Sequence, residues 1–278
     1  RSRKLRPPTL ERLEDRLLLS HSSGSPFLTS DGTLVAEAGE TDDTIVVAPV
    51  GAEALQITIN NDVHEFARSS VLGIRVTAGG GNDHVEVSAA LDIPAVLLGG
   101  AGNDTLVGGT VADLLDGGPD ADSIVGDDGD DSLVADPLDT VDGGPGIDSL
   151  TLLVGGTDSA DTIRIENVDE TTTRVTINGA SRDYVRYEFA SAQINAGAGN
   201  DLVEVLADVT VNIQMFGDDG DDTLIGGAGN DSLDGGAGVD SLVAGGGDDS
   251  IVAEHTETID SGPGDDSLTL IVAGTDAP

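Results

Sequence analysis

Single aliphatic residues recur along this chain at a spacing of nine. Leu106, Leu115, Ile124 and Leu133 are nine apart; Val141 follows after eight residues and Leu150 after nine more. The series returns as Leu224, Leu233, Leu242, Ile251, Ile259 and Leu268. Two residues before each stands an acid: Asp104, Asp113, Asp122, Asp131, Asp139 and Asp148, then Asp222, Asp231, Asp240, Asp249, Glu257 and Asp266. Glycines fill the first, second and fourth places of the better copies, where positive φ and close backbone approach are needed. The pattern predicts a turn followed by a three-residue strand, with its middle side chain inward and its flanks outward. Consecutive strands fall on opposite walls, so two nonapeptides close one coil of a solenoid held together by contacts between neighbouring coils.

A second period is 118 residues long. Residues 41–158 and 159–276 align without a gap at 52 identical positions. Asp43-Thr44-Ile45 returns as Asp161-Thr162-Ile163, and Gly144-Pro145-Gly146 as Gly262-Pro263-Gly264. The chain is therefore organised as an N-terminal region, 1–40, and two copies of one unit, 41–158 and 159–278. Each unit opens with a stretch lacking the nine-residue period. These stretches predict strands at Thr44–Val47, Leu55–Asn60 and Ile74–Thr77, with counterparts at Thr162–Ile165, Thr173–Asn178 and Gln193–Asn195. Alternation in Ile57-Thr58-Ile59 and Val175-Thr176-Ile177 predicts a half-buried sheet, and a cap closing the open end of a solenoid is its expected role. Phe66, Tyr184, Tyr187 and Phe189 lie in these caps. Arg68 and Arg186, at equivalent positions, are expected to pair with nearby acids.

Charge sharpens the picture. The chain has 278 residues, 52 acidic and 12 basic, for a net charge of -40. Residues 1–40 hold six of each, so the rest carries 46 acids and six arginines. Nucleic acid is excluded as a partner, because phosphate contact needs Lys and Arg. A compact fold with this self-repulsion needs counterions. Cysteine is absent, which removes disulfides, thiolate metal sites and thiol nucleophiles. No apolar run approaches the roughly 20 residues of a membrane-spanning helix.

The aspartates supply the counterion chemistry. Gly-rich turns aim backbone carbonyls at one point, and an aspartate at the turn's end adds carboxylate oxygens. Stacked turns thus offer an all-oxygen, flexible cage, which suits Ca²⁺ better than the smaller, rigidly octahedral Mg²⁺. Zn²⁺ and Cu²⁺ lack the soft or imidazole ligands they prefer. The candidate metal-binding acids are Asp83, Asp104, Asp113, Asp122, Asp131, Asp148, Asp201, Asp222, Asp231, Asp240, Asp249 and Asp266. The candidate glycines are Gly99, Gly100, Gly102, Gly108, Gly117 and Gly126, with Gly217, Gly226, Gly227, Gly229, Gly235 and Gly236 in the second unit. Asp83 and Asp201 belong to isolated earlier matches, Gly79–Val85 and Gly197–Val203. Val111 and Asp120 replace the fourth-place glycine of their turns, and Asp127 a second-place glycine. The turns Ala135–Asp139 and Ala253–Glu257 are one residue short and lack glycine, so weak or missing sites are expected there. Four gaps between stacked turns per unit give roughly eight Ca²⁺ in all.

Gly99-Gly100-Ala101-Gly102-Asn103-Asp104-Thr105-Leu106 and Gly226-Gly227-Ala228-Gly229-Asn230-Asp231-Ser232-Leu233 resemble the GGxGxDxUx nonapeptide of the RTX, or hemolysin-type calcium-binding, repeat family. The resemblance covers about 79–154 and 197–272. It implies an all-β fold of two tandem parallel β-rolls (RTX β-solenoids), each preceded by a small β-sheet cap, with Ca²⁺ between turns in a secreted bacterial protein. Leu13-Glu14-Asp15-Arg16-Leu17-Leu18-Leu19 resembles the LEPR-XLL segment near the start of large planctomycete extracellular proteins, with Asp15 in place of Pro. That implies export or surface sorting, and Ser20–Gly32 is expected to be a linker.

Catalytic constellations are missing. His64-Glu65 starts like a zincin motif, but Arg68 holds the second histidine's place, and no G-x-S-x-G elbow occurs. The expected protein is not an enzyme. It is a calcium-binding structural or adhesive module, secreted or surface-attached, that folds on Ca²⁺ and meets a cell-surface or matrix partner. The alternative is a non-catalytic calcium-dependent accessory region of a larger extracellular protease, lipase or glycosidase. The second unit ends on Gly274-Thr275-Asp276, which in the first unit leads directly into the next, so a longer array is expected.

Overall fold

A computed structural model of the chain describes residues 25–186, 188–254 and 257–271. They build a β-solenoid with one long wall and two short ones. The long wall has twelve strands. Phe27–Leu28 pairs antiparallel with Thr33–Glu37 at its head. From there every strand is parallel to the one before: Gly73–Gly80, Ala95–Ala101, Leu114–Asp116, Ser132–Ala135, Ser149–Thr157, Phe189–Gly197, Asn212–Phe216, Ser232–Asp234, Ser250–Glu254 and Ser267–Ile271.

Each short wall has seven strands. In the first, Thr44–Val50, His84–Val87, Thr105–Val107, Ser123–Val125 and Thr140–Asp142 run parallel. Ala54–Ile59 and Asp62–Ala67 extend it as an antiparallel hairpin. The second short wall repeats this from Thr162–Asn167 to Thr258–Asp260, with Thr172–Ile177 and Ala180–Val185 as its hairpin. Each cap is therefore a continuation of a roll wall rather than a separate sheet. The long wall passes unbroken between the units, through the parallel pairing of Ser149–Thr157 with Phe189–Gly197.

The nine-residue rule places the core. Leu106, Leu115, Ile124, Leu133 and Leu150, like Leu224, Leu233, Leu242 and Ile251, are at most 1% exposed. Strands eighteen residues apart pair, as Leu115 does with Leu133, because two nonapeptides make one coil. The caps contribute Ile45, Val47, Leu55 and Ile57, and Ile163, Ile165 and Val175, to the same core. Tyr184 and Phe189 are buried together, ring centroids 6.5 Å apart. At the tail the edge strand Ser267–Ile271 leaves Leu268 54% and Leu270 49% exposed, whereas their equivalents Leu150 and Leu152 are covered by Phe189–Gly197.

Two features differ from the sequence expectation. Thr33–Glu37 and Phe27–Leu28, assigned above to the N-terminal region and its linker, are strands of the long wall. Thr33-Leu34 stands 118 residues before Thr151-Leu152, so this strand has its counterpart in Ser149–Thr157. Among the described residues Arg68 and Arg186 form no ion pair: Arg68 donates to the Ala90 carbonyl and Arg186 to that of Asp169. The LEPR-XLL-like segment and Tyr187 lie outside the described residues.

Candidate metal centre

The aspartates form ladders along the turns. In the first short-wall row, Asp104 Oδ1 accepts the Asp83 backbone N–H at 2.8 Å, Asp122 Oδ1 accepts that of Asp104 at 2.7 Å, and Asp139 Oδ1 that of Asp122 at 2.8 Å. On the long-wall row, Asp131 Oδ1 takes the Asp113 N–H and Asp148 Oδ1 that of Asp131. The second unit repeats both rows, through Asp201, Asp222 and Asp240 and through Asp231, Asp249 and Asp266. Each coil thus hands an N–H to the carboxylate one coil further on. These acids are 1–5% exposed, apart from the half-buried terminal Asp266.

One oxygen of each carboxylate is thereby used. The other, Oδ2, is buried and has no hydrogen-bond partner among the described residues at Asp83, Asp104, Asp122, Asp131, Asp148, Asp201, Asp222, Asp240 and Asp249. A buried carboxylate oxygen without a partner carries a large desolvation cost. Burial raises these carboxyls whether Oδ2 has a partner, as at Asp231, or none, as at Asp83. Burial pushes Asp83, Asp131, Asp222 and Asp231 up to about 6 and Asp122 to about 7, only partly offset by the backbone N–H each accepts. Neighbouring rungs add repulsion, Asp104 and Asp43 on Asp83, Asp139 and Asp104 on Asp122. Asp104, Asp113, Asp240 and Asp249 are raised for the same first reason.

The orphaned oxygens open onto cradles floored by glycine. A Cβ built on Gly99 would come closer than 3.0 Å to both Asp104 Oδ2 and the Gly117 carbonyl oxygen one coil away. The same pair of oxygens closes over Gly126 (Asp131 Oδ2 and Gly143 O) and Gly217 (Asp222 Oδ2 and Gly235 O). Gly117, Gly143 and Gly235 likewise face the Oδ2 of Asp122, Asp148 and Asp240. Gly100 and Gly102 have φ of 109° and 112° and press on the carbonyls of Gly79 and Gly81, so no side chain fits there either. Among the described residues no three Asp, Glu or His side chains gather into a chelate. Carboxylates come one per turn, and the oxygens close beside them are backbone carbonyls. Oxygen-only donors around a buried negative charge fit Ca²⁺.

Not every rung is alike. Asp113 and Asp231 turn Oδ2 back onto the N–H of Gly109 and Gly227 in their own turns. Asp139, in the short turn, accepts Asp136 N–H on Oδ2 and Asp122 N–H on Oδ1, leaving neither oxygen over. Glu257 in the second short turn uses Oε1 for the Glu254 N–H and keeps a buried Oε2 without a partner.

A second ladder runs outside the first. Asn103 donates its backbone N–H to Asn82 Oδ1, Ala121 to Asn103 Oδ1, Asp221 to Asn200 Oδ1, and Asp248 to Asn230 Oδ1. Asp130, Asp221 and Asp248 accept in the same way from Ile147, Val239 and Asp265. The signal was present in the fifth place of the nonapeptide, but its partner lies eighteen or so residues away and is fixed only by the coil.

Stacked turns, buried single carboxylates and glycine-floored oxygen cradles define a calcium-binding β-roll. The family model of the RTX calcium-binding nonapeptide repeat matches residues 98–133 and 216–251, two stretches themselves 118 residues apart. The chain thus carries RTX calcium-binding repeats in both units, and Ca²⁺ is the ion such repeats bind. A search of curated proteins finds no match to the chain.

Proposed function

We propose that this calcium-binding structural module is a spacer and adhesive segment of a secreted or surface-attached bacterial protein, folding when it meets Ca²⁺ outside the cell. The nine buried Oδ2 atoms without partners carry this reading. Residues holding Ca²⁺ in it are Asp83, Asp104, Asp122, Asp131 and Asp148 with their second-unit equivalents, together with carbonyls of the turn glycines. The bound ion supplies positive charge to carboxylate oxygens for which the protein offers no hydrogen-bond donor. Extracellular calcium modules bind with Kd near 10⁻⁴–10⁻³ M, well above the free calcium of a cytosol. The roll is then unfolded and export-competent inside the cell and rigid outside it. Five coils per unit at about 4.8 Å each make a spacer of roughly 24 Å per 118 residues. No helix among the described residues is long and apolar enough to cross a membrane, so attachment rests on another segment or partner.

Circular dichroism during a Ca²⁺ titration tests the folding step, with Mg²⁺ as control. A β spectrum should appear at millimolar Ca²⁺ and not at equal Mg²⁺. A native spectrum persisting in EDTA at neutral pH would refute it. A folded, protease-resistant cytoplasmic pool in fractionated cells would refute the assignment of place.

A further inference from the structure

We propose that Asn60 and Asn178 close the first rung of each short-wall ladder without a metal ion, so that each cap hairpin is a calcium-independent seed on which its roll assembles. The inference rests on the calcium-driven folding proposed above and concerns where that folding begins.

Asp43 and Asp161 stand in ladder register. Their backbone N–H groups go to Asp83 Oδ1 at 2.7 Å and Asp201 Oδ1 at 2.6 Å, as every inner rung does with the next. They are as buried as the inner aspartates, at 7% and 4% exposure. Their side chains are treated differently. Asn60 Nδ2 donates to Asp43 Oδ1 at 2.6 Å, and the Gly39 N–H reaches Oδ2 at 3.2 Å. Asn178 Nδ2 donates to Asp161 Oδ1, while the N–H and hydroxyl of Thr157 both donate to Oδ2. Both oxygens of both carboxylates therefore have protein donors, where Asp83, Asp104 and Asp122, like Asp201, Asp222 and Asp240, leave Oδ2 with none among the described residues.

The asparagines are held for this task. Each occupies the left-handed region at the hairpin turn, φ 54° and 51°, a conformation Asn tolerates. The backbone N–H of Asn60 donates to the Thr44 carbonyl, and its side-chain Oδ1 accepts the Thr44 N–H at 3.0 Å. Asn178 does the same with Thr162, at 2.9 Å for each bond. One exposed side chain thus ties the hairpin to the strand and covers a buried carboxylate from the solvent side. The arrangement occurs twice, in two cap sequences that otherwise share few residues. The hairpins also have antiparallel pairing and apolar burial of their own, through Leu55, Ile57 and Val175. Only the amide nitrogen distinguishes the native residue from aspartate. An aspartate in its place keeps the turn and the acceptor for Thr44 or Thr162. It removes the donor and sets two carboxylates face to face, a pair that itself calls for a cation.

The test is hydrogen exchange with mass readout on the full chain, in EDTA and in 10 mM Ca²⁺, for the wild type, Asn60→Asp/Asn178→Asp and the control Asn61→Asp. Asn61 is exposed in the same turn, so the control adds charge without removing the amide. In wild-type EDTA samples the amides of 44–59 and 162–177 should exchange at least tenfold more slowly than those of 99–150 and 217–268. In the double variant that protection should vanish in EDTA and return in Ca²⁺; the control should match wild type. Hairpins exchanging as fast as the rolls in wild-type EDTA samples would overturn the proposal, as would a double variant still protected in EDTA. Rolls that stay protected in EDTA would instead refute calcium-driven folding, so the two failures are distinguishable.

Discussion

Removing calcium should make the stability of this protein fall as pH rises, in a window where most proteins are at their best. Asp83, Asp131, Asp139, Asp222 and Asp231 are raised from 3.8 to about 6 and Asp122 to about 7, with burial as the leading cause. A group whose folded-state pKa lies above its unfolded value binds more protons in the folded chain. Its contribution is complete below about 4 and lost as pH climbs through 6 to 7. Ionising one such carboxyl costs the fold about 3 kcal/mol relative to the unfolded chain, and about 4 at Asp122. The six sit in coupled rows and their costs do not simply add, but two or three of them already rival the ~5–15 kcal/mol by which a whole domain is stable. The calcium-free chain should therefore keep β structure near pH 4.5 and lose it by pH 7.5. Millimolar Ca²⁺ should restore it at pH 7.5, and near pH 5, where the folded carboxyls still hold protons, its binding should release them. Far-ultraviolet circular dichroism and limited proteolysis in EDTA from pH 4 to 8 follow the first effect; calorimetry in buffers of different ionisation enthalpy follows the second. A calcium-free protein equally folded at pH 4.5 and 7.5, or one that unfolds on acidification, would refute the reasoning.

Other outcomes follow from individual residues. Gly99→Ala should remove one Ca²⁺ by filling its cradle and cost about 3 kcal/mol at calcium a hundredfold above Kd, whereas Gly155→Ala, with open space around it, should stay within about 0.5 kcal/mol; calcium counting and urea melts in 10 mM Ca²⁺ separate them. Asp104→Asn should weaken calcium binding at least tenfold, whereas Asp139→Asn, at a carboxylate already satisfied on both oxygens, should leave the calcium count unchanged. Asp266→Ala, at a half-buried terminal rung, should cost less calcium affinity than Asp240→Ala, measured by isothermal titration; equal losses would place the two in equivalent surroundings.

The roll was legible because its period is local. Nine residues carry both the turn and the inward side chain, so Leu115 and Leu133 announce their pairing without any view of the fold. The edges of each unit were not. Thr33–Glu37 lies before the nonapeptides begin and shows itself only through its likeness to Thr151–Gly155. Asp62–Ala67, with Asp, His and Glu among six residues, has no apolar rhythm strong enough to mark a strand. At the site, residue type and spacing picked out the carboxylates and marked the short turns as weak, but grouped Asp104 with Asp113, although Val111 holds the fourth place in the Asp113 turn. What separates them is whether the Gly109 N–H can swing back to the carboxylate, and that depends on the coil before it, where Pro94 and Ala95 replace a Gly-rich turn. Asn60 was invisible for a similar reason: its partner Asp43 is seventeen residues away and is brought near only by the hairpin.

The two ladders described above point in opposite directions. Aspartate rungs take their N–H from the coil before, and asparagine rungs from the coil after. An α-helix aligns every peptide dipole and so accumulates charge at its ends. Here the polarity of one row offsets that of the other at each coil. A roll of this design can gain coils without its side-chain hydrogen bonds accumulating a dipole along the axis, and the carboxylate charge that each coil adds is left for counterions to balance.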